Sequence, residues 1–183
     1  MNPIKIYTCQ RMTGRYMDEM VQEAEMLVRV LGNYGFVALN PVLEEKVPRV
    51  HEILPVGDPE VLHRYWRRDK EMIREADIVL DYETQGKSDG TNNEVGYARF
   101  CLWKPVVRVW NGPGGAISKL EDDLVIPSLT EAIQVIFQRW GTYEKLGEWR
   151  AEIWKKSFLR WFDHQKELRK RYGMDEKLFT EVL

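Results

Sequence analysis

Ile4-Lys5-Ile6-Tyr7-Thr8 is a short β-type run closed by the polar Gln10-Arg11 and by Gly14, and the pattern after it changes period. Met17, Met20, Val21, Ala24, Leu27, Val28 and Leu31 recur at steps of three and four until Gly32 and Gly35, the spacing of one amphipathic helix with stop signals. The chain thus opens as strand, loop and helix, and the same alternation repeats along it. Phe36-Val37-Ala38-Leu39 predicts a second strand, ended by Asn40-Pro41, since proline removes a backbone donor and restricts the residue before it. Residues 41–59 hold Pro41, Pro48, Pro55 and Pro59 and predict a long irregular stretch, of the kind that serves as a lid or a subunit contact.

Asp58-Pro59-Glu60 starts a helix that carries Leu62, Tyr65, Trp66, Met72 and Ile73 along one face to Ala76. Asp77-Ile78-Val79-Leu80-Asp81-Tyr82 is a third strand, residues 83–91 a loop, Asn92 to Trp103 a helix, and Pro105-Val106-Val107-Arg108-Val109-Trp110 a fourth strand. Asn111-Gly112-Pro113-Gly114-Gly115 marks a turn; it lacks the Lys-Ser/Thr ending of a phosphate loop. Leu124-Val125-Ile126 predicts a fifth strand, with Pro127-Ser128 opening a helix through Ile133, Ile136 and Phe137. Strands alternating with helices predict a three-layer, doubly wound α/β fold, its mainly parallel sheet of about five strands holding ligands at the strands' carboxyl ends.

The expected organisation is an α/β domain over residues 1–140 and a helical extension over 141–183. In the extension Leu146, Trp149, Ile153, Trp154, Phe158, Trp161, Phe162 and Leu168 form a stripe at helical spacing amid 10 basic and 8 acidic residues. Such a stripe exposes more apolar surface than a monomer usually tolerates, so a homo-oligomer is expected. At 183 residues, roughly two thirds of the unfolded surface can be buried, enough for a core without staples. With 27 Lys+Arg against 29 Asp+Glu there is no global basic field to gather a polynucleotide or an anionic membrane. No apolar run approaches a membrane span, and Lys5 precedes no signal-type apolar segment, so the expected location is cytoplasmic. Cys9 and Cys101 make no disulfide framework, and His51, His63 and His164 lack metal-ligand spacing, so neither a metal nor another cofactor is expected. Cys9, at the end of the first strand, reads as a small packing residue.

The chemistry concentrates in Ser88-Asp89-Gly90-Thr91-Asn92-Asn93-Glu94-Val95-Gly96-Tyr97-Ala98, which passes from loop into helix. Gly90 admits close backbone approach of a ligand, and first-turn N–H groups offer a cradle for an anion or a hydroxyl. Glu94, near the positive end of the helix dipole, is expected to be ionised at neutral pH and competent as a nucleophile. Thr91 and Glu94 equally fit an ordinary capping box. Trp66, Trp103 and Trp110 could stack on a base, but each is expected to pack in the core.

Gly90-Thr91-x-x-Glu94-x-Gly96-x-Ala98, preceded by Ala76-Asp77-Ile78-Val79 and followed by Lys104-Pro105-Val106, resembles the signature of the nucleoside 2-deoxyribosyltransferase family. The opening Ile6-Tyr7 strand and long helix are similar too, so the resemblance spans roughly residues 4–110. The family includes hydrolases of nucleoside 5′-monophosphates. The resemblance implies that Glu94 attacks the anomeric carbon to form a glycosyl-enzyme, that Tyr7 holds this carboxylate by a hydrogen bond, and that Asp69 manages the proton on the departing base. Read without it, Tyr7 is an inward strand residue and Asp69 pairs with Arg68 or Lys70 on a solvated face.

Family members acting on free nucleosides usually carry an Asp six residues before the nucleophile, at the sugar 5′-hydroxyl, whereas the nucleotide hydrolases carry Ser. This chain has Ser88. A carboxylate would repel a 5′-phosphate that a hydroxyl can donate to, and Arg11 and Arg15 are candidates for the positive charge. Asp89 is the candidate for the 5′-hydroxyl contact should the loop be shifted. The expected activity is N-glycosidic cleavage of a nucleoside 5′-monophosphate, with Ser88, Asp89, Gly90, Thr91, Arg11 and Arg15 binding substrate and Glu94, Asp69 and Tyr7 catalysing. The alternatives are base exchange on free deoxynucleosides and, from another class, a non-catalytic nucleotide-sensing module.

Overall fold

A computed structural model of the chain describes residues 2–10, 15–44, 59–82, 89–110 and 124–172. It divides into two compact units, Met1–Tyr143 and Glu144–Leu183. The first is built on five strands: β1 (Lys5–Gln10), β2 (Val37–Leu39), β3 (Ile78–Tyr82), β4 (Val106–Val109) and β5 (Leu124–Ile126). All neighbouring pairs are parallel and the order is β2-β1-β3-β4-β5. The helices are α1 (Met17–Asn33), α2 (Pro41–Glu44), α3 (Pro59–Glu75), α4 (Asp89–Gly96), α5 (Leu129–Trp140) and, opening at the edge of the first unit, α6 (Tyr143–Tyr172). The three-layer, doubly wound α/β architecture expected from the alternation is therefore present.

The strand order follows from the connections. After β1 the chain crosses through α1 to β2 on one side and returns through α3 to β3 on the other side of β1. The connection after β1 leads to β2 and the one after β3 leads to β4, on opposite sides of the β1–β3 pair, so the carboxyl ends of these two strands are the switch point at which such sheets hold ligands. Side chains alternate along strands. Tyr7, Cys9, Val79 and Val106 lie on one face and form a core with Ile73 and Ala76 from the α3 segment and with Val95 and Ala98 on and just after α4. The other face belongs to α1, whose Met20 carbonyl accepts from Gln10 Nε2 at 3.0 Å, and to α5, whose Phe137 meets Tyr34 and Phe36 edge-on at 6.2 and 6.3 Å.

Three local outcomes differ from the sequence reading. The Pro-rich stretch after β2 opens with a helical turn, because Asn40 caps it by accepting from Val42 N–H at 2.9 Å and Pro41 occupies the first position, where a missing N–H costs nothing. The rest of that stretch, 45–58, lies outside the described residues. The helix expected over Asn92–Trp103 begins three residues earlier and gives way at Tyr97–Cys101 to a wider π-helical turn. Finally, Trp103 is an exposed residue at φ +54° and not a core residue. Lys104 of the motif does structural work: its ammonium donates to the carbonyls of Arg74 (2.8 Å) and Ala76, closing the carboxyl end of α3.

Register produces one further feature. Asp81 pairs with Arg108 across β3 and β4, and Arg108 Nε donates to Asp81 Oδ2 at 2.6 Å with both side chains fully buried. A buried ion pair is costly to break by halves, since removing one partner strands the other charge in a low-dielectric interior. Arg108→Leu and Asp81→Leu are each expected to cost about 3–5 kcal/mol, and the double variant less than their sum. Urea unfolding across the four-protein cycle measures this, and additive losses would show that the two charges are not coupled.

Candidate functional site

Tyr7 and Cys9 are on β1, Asp69 is on α3 and Glu94 is on α4, and all four are buried on the same face of the sheet. α3 and α4 pack on each other and on β1, which brings the three sequence-assigned residues Tyr7, Asp69 and Glu94 into one cluster. Asp69 is not on a solvated face. Trp66, Asp69 and Ile73 fall at successive three- and four-residue steps, so this carboxyl sits inside the apolar stripe of α3. It does pair with Arg68, whose Nη2 and Nε donate to Oδ1 at 2.8 and 3.1 Å.

Glu94 differs from expectation in its charge state. It is the sixth residue of α4, beyond the first turn over which the helix dipole acts. Burial comes first and the charge of Asp69 second in pushing its carboxyl up to about 8; Asp81 adds in the same direction, while the neighbouring Cys9 thiol and Tyr7 hydroxyl oppose it. The expected ionised nucleophile is thus a neutral acid at pH 7 in the protein by itself. Thr91 is the third residue of α4 and buried, so it does not stand at the N-cap and the capping-box alternative fails.

Tyr7 is pushed well upward by burial and then by Glu94. Its hydroxyl faces Glu94 but is too poorly placed to close a hydrogen bond of ordinary geometry, and no other described group satisfies it. A buried unsatisfied hydroxyl costs about 1–3 kcal/mol, and catalytic hydrogen bonds often tighten only when substrate is engaged. Cys9 is likewise raised by burial and by Glu94, to which its thiol donates.

The substrate-side residues divide. Gly90 is exposed and Thr91 buried in the first turn of α4; the backbone of Asp89 opens that helix. Arg15 is buried and its Nη1 donates to Glu23 on α1 at 2.5 Å. Both act on Tyr82, whose hydroxyl is raised by burial and by Glu23 and lowered by Arg15, so the pair stands near the end of β3. Arg11, Ser88, the Asp89 side chain and the Gly112–Gly115 turn lie outside the described residues.

Three buried groups belong to this neighbourhood that the sequence does not single out as functional. Cys9 reads from sequence as packing only, yet it touches the candidate nucleophile. Asp81 and Arg108 form the charged row beside it, with Cys9 opposite Asp81 and Asp81 opposite Arg108. The available signal is a charged residue inside each apolar run, Val79-Leu80-Asp81 and Val107-Arg108-Val109, in a sheet covered on both faces.

The pH dependence of stability reports the Glu94 environment. A carboxyl whose proton is held more tightly in the folded than in the unfolded chain contributes stability that is complete below its unfolded value near 4.5 and is lost as pH rises through about 8. Glu94→Gln removes that loss. Relative to the parent, the variant is expected to gain on the order of 3 kcal/mol between pH 4.5 and pH 7. Thermal melts from pH 4 to 9 measure it, and parallel curves for the two proteins would place Glu94 at its ordinary value.

No family model and no curated protein matches the sequence. Solved structures do. A 2-deoxyribosyltransferase from Bacillus psychrosaccharolyticus superposes with a TM-score of 0.51 at 24% identity, covering 78% of this chain and 95% of that one. A conserved protein from Enterococcus faecalis V583 gives 0.55 at 16% identity over 75% and 99%. The CMP N-glycosidase BcmB of Clostridium botulinum gives 0.45 at 16% over 73% and 98%. Among the described residues no helix is long and apolar enough to cross a membrane. The chain therefore has the fold of a nucleoside 2-deoxyribosyltransferase, the fold that its motifs imply.

Proposed function

We propose that the protein cleaves the N-glycosidic bond of a (2′-deoxy)ribonucleoside 5′-monophosphate through a covalent glycosyl-Glu94 intermediate. The observation that carries this reading is the burial of Tyr7, Asp69 and Glu94 together beneath β1, from three separate elements. A nucleotide sensor gains nothing from two adjacent buried carboxyl groups, which weaken the fold, whereas displacement at an anomeric carbon needs both. The Glu94 carboxylate attacks C1′. The electron pair of the C1′–N bond leaves with the base, which takes a proton from Asp69. Water then attacks C1′ of the ester, returns its proton to Asp69, and frees Glu94 and the sugar phosphate.

Ser88 supports the 5′-monophosphate as substrate. The Arg15–Glu23 pair supports a second reading, base exchange on free deoxynucleosides, because a guanidinium already neutralised by a carboxylate gives a phosphate little attraction. The protein is proposed to be a soluble, cytoplasmic enzyme without metal or cofactor. Chromatography of products from nucleosides and their 5′-monophosphates, with and without an acceptor base, separates the readings. Free base from the monophosphate is the expected product. Glu94→Gln should abolish it, and retention within about tenfold, ~1.4 kcal/mol of barrier, would end the covalent mechanism. Ser88→Asp should lower kcat/KM for the monophosphate selectively, by about tenfold or more. A gain on the nucleoside with Ser88→Asp would instead establish the transferase reading.

Assembly as a homo-oligomer is proposed from α6. Trp154 is 65% exposed and stacks on Phe158 at 5.5 Å, with Leu159 half exposed beside them. Trp161 and Phe162 of the same stripe have side chains outside the described residues. Light scattering at micromolar concentration should give at least twice the mass of one chain; a monomer would refute it.

A further inference from the structure

Two carboxyl groups near Glu94 are each held by an arginine. Asp81 on β3 is held by Arg108 on β4, and Asp69 on α3 by Arg68, its neighbour in sequence. β1 contributes Tyr7 and Cys9, both neutral at physiological pH because burial raises them. The groups that act most on Glu94 are Asp69, Cys9, Asp81 and Tyr7, none of them a cation. Asp69 and Glu94 are close enough that the charge of one raises the other, and two carboxyl groups so placed hold one proton between them.

The Arg68–Asp69 contact is not a by-product of helical geometry. Residues i and i+1 point about 100° apart on a helix and do not ordinarily meet. Arg68 reaches Asp69 by folding back, with its guanidinium over the Tyr65 ring at 5.5 Å and both Nε and Nη2 on a single carboxyl oxygen. Two charge-assisted donors on one oxygen favour the carboxylate over the acid.

Resting on the N-glycosidase reading, we infer that Arg68 is a positioning residue that holds Asp69 as the carboxylate and so places the one proton of the Asp69–Glu94 pair on Glu94. The pair then carries the right number of protons for the reaction in the opposite arrangement. Substrate engagement must move the proton from the Glu94 carboxyl oxygen to Asp69, which leaves Glu94 as the anion that attacks C1′ and Asp69 as the acid that protonates the base. Arg68 sets the cost of that transfer.

The test reads the proton without substrate. In protein labelled with 13C at Asp and Glu carboxyl carbons, Asp69→Asn and Glu94→Gln assign the two signals. In the parent at pH 7, Glu94 should appear protonated and Asp69 ionised. In Arg68→Met the Glu94 signal should move toward the ionised position and the Asp69 signal toward the protonated one, and Arg68→Lys should restore the parent pattern. If Arg68→Met does not fold, Arg68→Gln, which keeps donors without the charge, should show the same exchange. An ionised Glu94 in the parent, or folded Arg68 variants in which neither signal moves, would overturn the assignment. Failure here leaves glycosidic cleavage standing, whereas absence of base release with the expected signals would remove the reaction and keep the proton placement.

Discussion

Asp81 and Arg108 can meet only if β3 and β4 run parallel in one register, and the rest of the site inherits its geometry from that row. A slip of one residue between the two strands would set Asp81 opposite Val107 or Val109 and put the two charges on opposite faces of the sheet. The same row fixes Cys9 opposite Asp81 on β1, and alternation then sets Tyr7 two residues back on the same face. The buried pair thus acts as a register lock for the three central strands. The penalty for misplacing it is the desolvation of two unpaired charges, which no shift of hydrophobic contacts could offset.

Given that row, the helices have little freedom. α3 is tied at its carboxyl end by the Lys104 ammonium, which comes from the segment entering β4. It is tied along its flank by Trp66, which meets Tyr97 edge-on at 5.9 Å just beyond α4. α4 ends in a π-helical turn, and such turns change the direction of the residues beyond them. Glu94 lies ahead of the turn and Ala98 inside it, both buried, so one short segment presents the carboxyl to the site and still returns the chain to β4. Each of the three groups Tyr7, Asp69 and Glu94 is therefore placed by a different long-range constraint.

Alternating periods are enough to show the layers and the five strands, because each element carries its own apolar pattern and its own stop signals. The resemblance to the nucleoside 2-deoxyribosyltransferase signature, and not spacing alone, points to Tyr7, Asp69 and Glu94, all three of which are buried. Charge state is not legible in the same way. The helix dipole at Glu94 is a local property of the sequence, but burial against β1 and the nearness of Asp69 are set by packing between elements, and these dominate. Arg68 beside Asp69 is visible in the sequence, and so is the position of Asp69 within the Trp66–Ile73 stripe, which argues against a solvated face. The pairing of Asp81 with Arg108 depends on register, which strand patterns alone leave open. The helical turn at Pro41 is obscured because the same Asn-Pro dipeptide that ends a strand also caps and starts a helix.

A carboxyl raised to about 8 is a poor resting nucleophile, and that is compatible with the chemistry its site is proposed to perform. The environment that disfavours an isolated anion is one of low dielectric, where Coulomb interactions are strong. When the C1′–N bond lengthens, positive charge develops on the sugar ring, and a carboxylate held next to it gains far more there than in water. Glu94 is therefore destabilised as an anion only while no cation faces it. Its partner Asp69 needs the reverse: a proton at the moment the base departs, against an Arg68 pair that favours the carboxylate. Under the proposed mechanism, handing one proton from Glu94 to Asp69 would satisfy both demands at once, driven by positive charge developing near Glu94. In the proposed mechanism, the burial that costs stability in the unliganded protein is the same property that would couple proton transfer to bond cleavage.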